Sequence, residues 1–428
     1  MKEHANRPTV TLREVASAAK VSLGTASMAL SGRPGVSAKT VRHVETVAGR
    51  LGYRPHPYVS TLMRQVGGRK QVGGKVNLAW LYVGSESYKV DFARPWGYHS
   101  TYAAALNRAR ELGYNNLEPH WCGQPGISLE RLGRILKGRG ILGALVVSGT
   151  SKIPKLEELK DVTLVKLNSP YLESFNHHVY PDTNQAMLLA CSRLWQQGYR
   201  RIGLIMGVTH IAADTGSREA AWFNFQNALP EELRIPVLID DFITSFIFDC
   251  YFVNREPSTT TRPPSFLDDE DWLKRFGDER KAFLDGRITQ REAKAAINHF
   301  FLMKWLDDYR PDVIICIDSR IKGNLQKIGY RVPEDIGIVH LNLKSDTPNW
   351  SGIDQHWDNI ATLSVDLLDH LIGTGQIGQT DHPVLRSAPG SWVQEKTTLP
   401  RKPLVYPEDR YVNRWIKERL NTEKSGSG

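Results

Sequence analysis

The residues of this 428-residue chain that could do chemistry are its cations, and they are concentrated at the start. Residues 1–75 carry 13 Lys and Arg against three acids (Glu3, Glu14 and Glu45), whereas the rest carries 42 against 43. The net charge of +9 is therefore a property of the first sixth of the chain. A small basic unit attached to a neutral body is the footprint of polyanion binding. Catalytic chemistry has no comparable signal. Gly138-Arg139-Gly140-Ile141-Leu142-Gly143 spells G-x-G-x-x-G, but it follows a helical pattern and opens an apolar run. A dinucleotide needs the reverse, a strand before the motif and a helix after it. Gly74-Lys75 lacks the first glycine and the hydroxyl residue of a P-loop. Neither H-E-x-x-H nor G-x-S-x-G occurs, and the 13 histidines, His177-His178 included, show no metal spacing. Cys122, Cys191, Cys250 and Cys316 are dispersed, with no C-x-x-C, which gives neither a disulfide framework nor a zinc cluster. The expectations are no enzymatic activity, no metal, no cofactor and a reducing, cytoplasmic setting. No run approaches the ~18 apolar residues of a membrane span, so no membrane partner is expected.

Elements must hold the basic unit together. Thr11-Leu12-Arg13-Glu14 is a capping box, in which the Thr hydroxyl and the Glu carboxylate satisfy free amides at a helix start. Leu12, Val15, Ala16 and Ala19 then recur at helical spacing. Ser22 is a second N-cap, opening a segment with Ala26, Ala29 and Leu30 facing inward. Ser37 caps a third helix, with Val41, Val44, Val47 and Leu51 inside and Gly52 as its stop. Three short helices, the first two joined by a tight turn, form a helix-turn-helix unit whose second helix is the usual major-groove reader.

These residues carry a resemblance. Thr11-Leu12, Val15-Ala16, Ala19-Lys20-Val21-Ser22, Thr25-Ala26-Ser27, Leu30-Ser31-Gly32, Val36-Ser37, Thr40 and Leu51-Gly52-Tyr53-Arg54-Pro55 resemble, without a gap, the signature of the lactose-repressor family. The resemblance implies a DNA-contacting set of Thr11, Arg13, Ser22, Leu23, Gly24, Thr25, Ser27, Met28, His56, Val59 and Leu62. Thr25 and Ser27 match phosphate-contacting positions. Pro57–Met63 matches a hinge helix whose leucine, here Leu62, enters the minor groove, and His56 stands where Asn is commoner. The family usually places long polar residues at the first two positions of the reading helix and an Arg after its T-V-S. This chain has Leu23, Gly24 and Met28 there, and none can make the bidentate hydrogen bonds that separate G from A. Contact of Leu23 or Met28 with thymine methyls, together with readout of duplex shape, is the expected substitute. The same departures leave open a sugar-binding protein that has lost specific DNA binding.

Beyond a glycine-rich basic linker, strand-like runs at 76–83, 141–147, 162–167, 201–206, 313–317 and 336–341 alternate with helical patterns at 100–112, 184–197, 218–229 and 293–306. Such alternation predicts parallel sheets covered on both faces, in two layers for this length. The resemblance extends here through Asp182, Gln197–Gly203, Arg218 with Trp222, Arg310-Pro311-Asp312, Asp318 and Val332–Gly337, with Lys396-Thr397-Thr398-Leu399 matching the closing strand. It implies an α/β protein: an N-terminal three-helix helix-turn-helix DNA-binding domain plus two Rossmann-like subdomains forming a periplasmic-binding-protein-like core. It also implies an effector, expected to be a carbohydrate, bound between the subdomains by Asn168, Arg218 and Asp318. The eleven tryptophans, all beyond residue 75, are expected to be mostly core. The expected organisation is a helix-turn-helix domain at 1–54, hinge and linker at 55–75, effector-binding and dimerisation core at 76–405 with an insertion at about 242–284, and a tail at 406–428 with one amphipathic helical stretch. The functional expectation is a transcription regulator, a repressor, that binds near-palindromic double-stranded DNA as a homodimer under control of a small-molecule effector.

Overall fold

The computed structural model describes residues 10–30, 35–51, 53, 76–83, 98–122, 128–148, 156–167, 176–207, 216–239, 244, 248–253, 276–343, 347–401 and 409–420. The chain divides into two compact units, residues 1–75 and 76–428.

In the first unit, α1 (Leu12–Ala18), α2 (Leu23–Leu30) and α3 (Ala38–Leu51) enclose Val15, Ala16, Ala19, Ala26, Ala29, Val44, Val47 and Ala48. Five of these eight are alanines, so the helix backbones can approach closely. Lys20, at φ 54°, takes the left-handed conformation that ends α1, and the Val21 amide returns to the Ala16 carbonyl at 3.0 Å.

The second unit holds two six-stranded sheets among the described residues. The first contains β1 (Asn77–Val83), β2 (Asn116–Cys122), β3 (Gly143–Ser148), β4 (Thr163–Lys166), β5 (His177–Pro181) and β11 (Leu385–Ala388), in the order β11-β5-β4-β3-β1-β2 and all parallel. The second contains β6 (Ile202–Met206), β7 (Leu238–Ile239), β8 (Val313–Cys316), β9 (Gly337–His340), β10 (Ser351–Asp354) and β12 (Ser391–Val393), in the order β12-β10-β9-β8-β6-β7. Only β12 runs antiparallel to its neighbour, β10. Successive side chains of β1 alternate between two cores: Leu78, Trp80 and Tyr82 on one face, Ala79, Leu81 and Val83 on the other. That two-sided burial is why the predicted runs read as continuous apolar stretches.

Helices α4 (Tyr98–Glu111) and α11 (Trp357–Gly373) cover one face of the first sheet, and α5 (Leu129–Gly138) the other. In the second sheet, α6 (Thr183–Gln196) and α7 (Ser217–Ala228) lie on one face, and α9 (Gln290–Tyr309) and α10 (Arg320–Ile328) on the other. The glycine motif at 138–143 is a helix-to-strand turn: Gly140 is left-handed, and a Cβ on Gly143 would sit 2.6 Å from Ile372. Trp80, Trp195, Trp222, Trp305, Trp350 and Trp415 are core residues.

Three crossings join the two layers, after β5, β10 and β11. They are stitched to one another: the Asp182 amide donates to the Ala388 carbonyl at 2.7 Å, and a Cβ on Gly390 would lie 2.8 Å from the Asp354 carbonyl. Asp182 also caps α6, accepting from the Gln185 amide at 2.9 Å.

Lys396-Thr397-Thr398-Leu399 is not the closing strand; β12, earlier in the chain, is. Thr397 and Thr398 are buried and work as side-chain ties. The Thr397 hydroxyl donates to the Ile338 carbonyl at 2.7 Å and accepts from the Ser351 amide at 2.8 Å, so an irregular segment is held against the sheet by hydroxyls.

The ends of the 242–284 segment are packed into the body. Phe248, Phe252 and Phe276 are buried against the core on the α9–α10 face, and α8 (Gly277–Leu284) follows. At the C-terminus, α12 (Asp409–Leu420) contributes Val412, Trp415 and Ile416 to the core on the α6–α7 face.

Candidate functional site

In the first unit each helix start is built by a hydroxyl. The Thr11 amide and hydroxyl donate to the Glu14 carboxylate at 2.6 and 2.9 Å, which holds that carboxyl below its ordinary value. Ser22 accepts from the Thr25 amide at 3.0 Å, and the two hydroxyls lie 2.8 Å apart. Ser37 and Thr40 repeat that arrangement at the start of α3. These local bonds fix where α2 begins and therefore which of its residues face outward.

Ala26 and Ala29 point into the core, which turns positions 23, 24, 27 and 28 away from it, as the 3.6-residue period requires. Leu23 is 44% exposed, Gly24 and Ser27 are exposed, and Met28 is half-buried. The structure thus gathers Leu23, Gly24, Ser27 and Met28 onto one face of α2. Thr25 is half-buried beside Ser22, so its hydroxyl already serves the cap. Arg13, Lys20, Lys39, Arg42 and Arg50 are exposed on the same unit and supply its positive surface.

Gly24 has no packing reason to be glycine: a Cβ there would meet only the Ser22 hydroxyl, at 3.7 Å. Glycine inside a helix costs roughly 0.5–1 kcal/mol relative to alanine. Gly24 stands in the first turn of α2, so Gly24→Ala is expected to raise the stability of this unit by no more than about that amount. The same change, on the outer face of α2, is expected to weaken DNA binding. Thermal melting and fluorescence anisotropy on one preparation read both effects.

His56, Val59, Leu62 and Asn168 lie outside the described residues. Arg218 and Asp318 are both carried to the C-terminal edge of the second sheet. Arg218 begins the helix that follows β6, Asp318 comes directly after β8, and these two strands are parallel neighbours. Open α/β sheets bind their ligands at that edge. Arg218 is buried, at 9% exposure. Asp318 lines a groove of 1080 Å³ beside α9 and α10, which Arg218 does not line. The Asp318 carboxylate accepts from the Arg320 amide at 2.9 Å and from its Nε at 2.9 and 2.8 Å. It therefore fixes the start of α10 and the direction of the Arg320 side chain. Sequence reasoning missed Arg320 and the other groove residues, although the Asp318–Arg320 spacing was a local signal.

A basic three-helix unit whose second helix presents a continuous outer face is a DNA-reading helix-turn-helix module. Residues 11–56 match the family described as "Bacterial regulatory proteins, lacI family". A curated relative, the HTH-type transcriptional regulator reg1 of Streptomyces lividans, is 31% identical over 208 residues, 46% of this chain and 54% of that protein. The match thus spans about half the length of this relative. Among solved structures, the lac repressor dimer bound to operator and the anti-inducer ONPF is 19% identical, with coverage of 92% of this chain and 100% of that one and a TM-score of 0.45. The transcriptional regulator CelR in complex with cellobiose is 21% identical, covering 91% of this chain and 100% of that one, with a TM-score of 0.47.

Proposed function

We propose that the whole chain is a transcription regulator, a repressor, that binds near-palindromic double-stranded DNA as a homodimer and responds to a small carbohydrate-type effector bound by the body. The observation that carries this reading is the outer face of α2, set by its caps and by Ala26 and Ala29 on a unit holding the chain's excess positive charge. Leu23 and Met28 supply apolar contact to thymine methyl groups, Ser27 and nearby cations hold phosphates, and duplex shape completes the selection. Leu62, in the hinge segment, is proposed to wedge into the minor groove at the operator centre.

In the body, the effector changes the relative orientation of the two layers about the three crossings near Asp182, Asp354 and Gly390. It thereby biases whether paired DNA-binding units can engage both half-sites. Asn168, Arg218 and Asp318 remain the proposed effector contacts. Arg218→Ala and Asp318→Ala are each expected to weaken effector binding by about 1–3 kcal/mol, the cost of a polar partner left unpaired. DNA affinity in the absence of effector should be unchanged. Selection of bound fragments from genomic DNA identifies the operator, and release of that DNA by a panel of mono- and disaccharides identifies the effector. Calorimetry of the two variants with the active sugar then checks the assignment; wild-type affinity in both would remove these residues from the site.

A further inference from the structure

Leu23 is the first residue of α2 and is 44% exposed. Leu12, Val21, Leu30, Val36 and Val41 pack against the core of the first unit, and Leu23 is not among them. The hydroxyls beside it are committed to the cap: Ser22 accepts from the Thr25 amide at 3.0 Å, and its oxygen lies 2.8 Å from that of Thr25. Gly24 adds no side chain, and one turn further the face continues with Ser27 and Met28, a single hydroxyl and a thioether. None of Leu23, Gly24, Ser27 and Met28 carries the paired donors or acceptors that read a base edge bidentately. The start of α2 offers instead a branched apolar side chain exposed to water. It does so on a unit whose 13 cations face only three acids, a charge that draws in a nucleic-acid duplex. The apolar group that a duplex presents in its major groove is the pyrimidine C5-methyl.

We infer that the outer face of α2 recognises the C5-methyl itself, through Leu23, so that 5-methylcytosine is accepted in place of thymine and methylation of the DNA strengthens binding. This deepens the proposed function and rests on its reading of α2 as the helix that enters the major groove. Thymine and cytosine differ at that edge in two ways. Thymine has the methyl and a carbonyl acceptor, whereas cytosine has an amino donor and no methyl. A face built of hydrogen-bonding pairs senses the exchange of acceptor for donor and rejects 5-methylcytosine along with cytosine. A leucine senses the methyl, which 5-methylcytosine carries at the same ring position as thymine. Each such methyl removed from contact with Leu23 costs about fourfold in affinity, the value of one buried CH2 group.

The test is fluorescence anisotropy of the full chain on synthetic versions of a duplex selected from genomic fragments. Each thymidine is replaced in turn by deoxyuridine, which removes the methyl and nothing else. At least one position in each half-site should lose about fourfold. At that position a pair with deoxyguanosine is then built from deoxycytidine or from 5-methyldeoxycytidine, and the methylated duplex should bind about fourfold more tightly than the unmethylated one. Leu23→Ala, at an exposed position outside the core, should keep the melting temperature and erase both differences. The inference is overturned if deoxyuridine is tolerated at every position, if 5-methyldeoxycytidine binds no better than deoxycytidine, or if Leu23→Ala keeps the methyl discrimination. Preference for the selected duplex over a shuffled one is scored on the same preparations. Intact preference with no response to the methyl removes this inference alone, whereas absence of any preference removes the regulator reading and this inference with it.

Discussion

Deleting residues 1–75 is expected to abolish DNA binding while leaving a body that still melts cooperatively. The body has its own cores on both faces of both sheets, so it does not depend on the first unit for burial. The deleted stretch removes 13 of the chain's 55 basic residues but only three of its 46 acids, leaving a remainder close to neutral. Non-specific affinity for a duplex comes from cations replacing condensed counterions, so the truncated protein should lose that contribution along with the reading helix. Gel shift on genomic fragments at low salt checks this, with circular dichroism confirming the fold. A truncated body that still shifts DNA would place the interface elsewhere.

The second large effect is expected from Trp415→Ala. Trp415 is 9% exposed, its ring centroid lies 6.0 Å from that of Phe225, and it enters the core that also holds Trp195 and Trp222. Truncating a buried tryptophan costs about 3–5 kcal/mol, a large share of the ≈ 5–15 kcal/mol that holds a typical protein folded. The loss should propagate. Asp409, on the same helix, pairs with the buried Arg200 guanidinium at 3.1 Å, while Arg200 stacks at 4.1 Å over Trp195 and donates to the carbonyls of Trp195 and Tyr199. If α12 detaches, Arg200 loses its carboxylate, and the removal of one partner from a buried pair is strongly destabilising. Urea denaturation followed by circular dichroism should show the transition of the second layer moved to lower denaturant. A shift worth less than about 1 kcal/mol would mean that α12 contributes little to the core.

What the sequence made legible follows from the range of each interaction. The caps at Thr11, Ser22 and Ser37 are bonds to residues three positions on, so the three-helix unit could be read from spacing alone. Strands β1, β3, β4, β6, β8 and β9 could be read because helices bury both their faces, which demands unbroken apolar runs. Strand β2 could not: at the edge of its sheet it has the sequence Asn-Leu-Glu-Pro-His-Trp-Cys, with several side chains part-exposed. Strand β5 begins with two buried histidines, and the His177 Nδ1 accepts from the Val384 amide, 207 residues away in sequence. Lys396–Leu399 was expected as the closing strand from the resemblance alone, whereas in the structure Thr397 is held to the sheet by its hydroxyl and not by a backbone ladder. The groove was invisible for a related reason. Arg291 and Lys294 on one helix and Arg320 and Lys327 on another read as two solvated faces until the sheet brings the helices side by side.

The most direct test of the account is an anisotropy titration of the full chain on a duplex selected from genomic fragments and on a shuffled duplex of the same composition, repeated across ionic strength. Affinity for the selected duplex is expected to be at least 10³-fold above that for the shuffled one at physiological salt. Both affinities should fall steeply as salt rises, because phosphate contacts contribute to each complex. Equal affinity for the two duplexes at every salt concentration would contradict it, leaving α2 as a basic surface with no power to select a site.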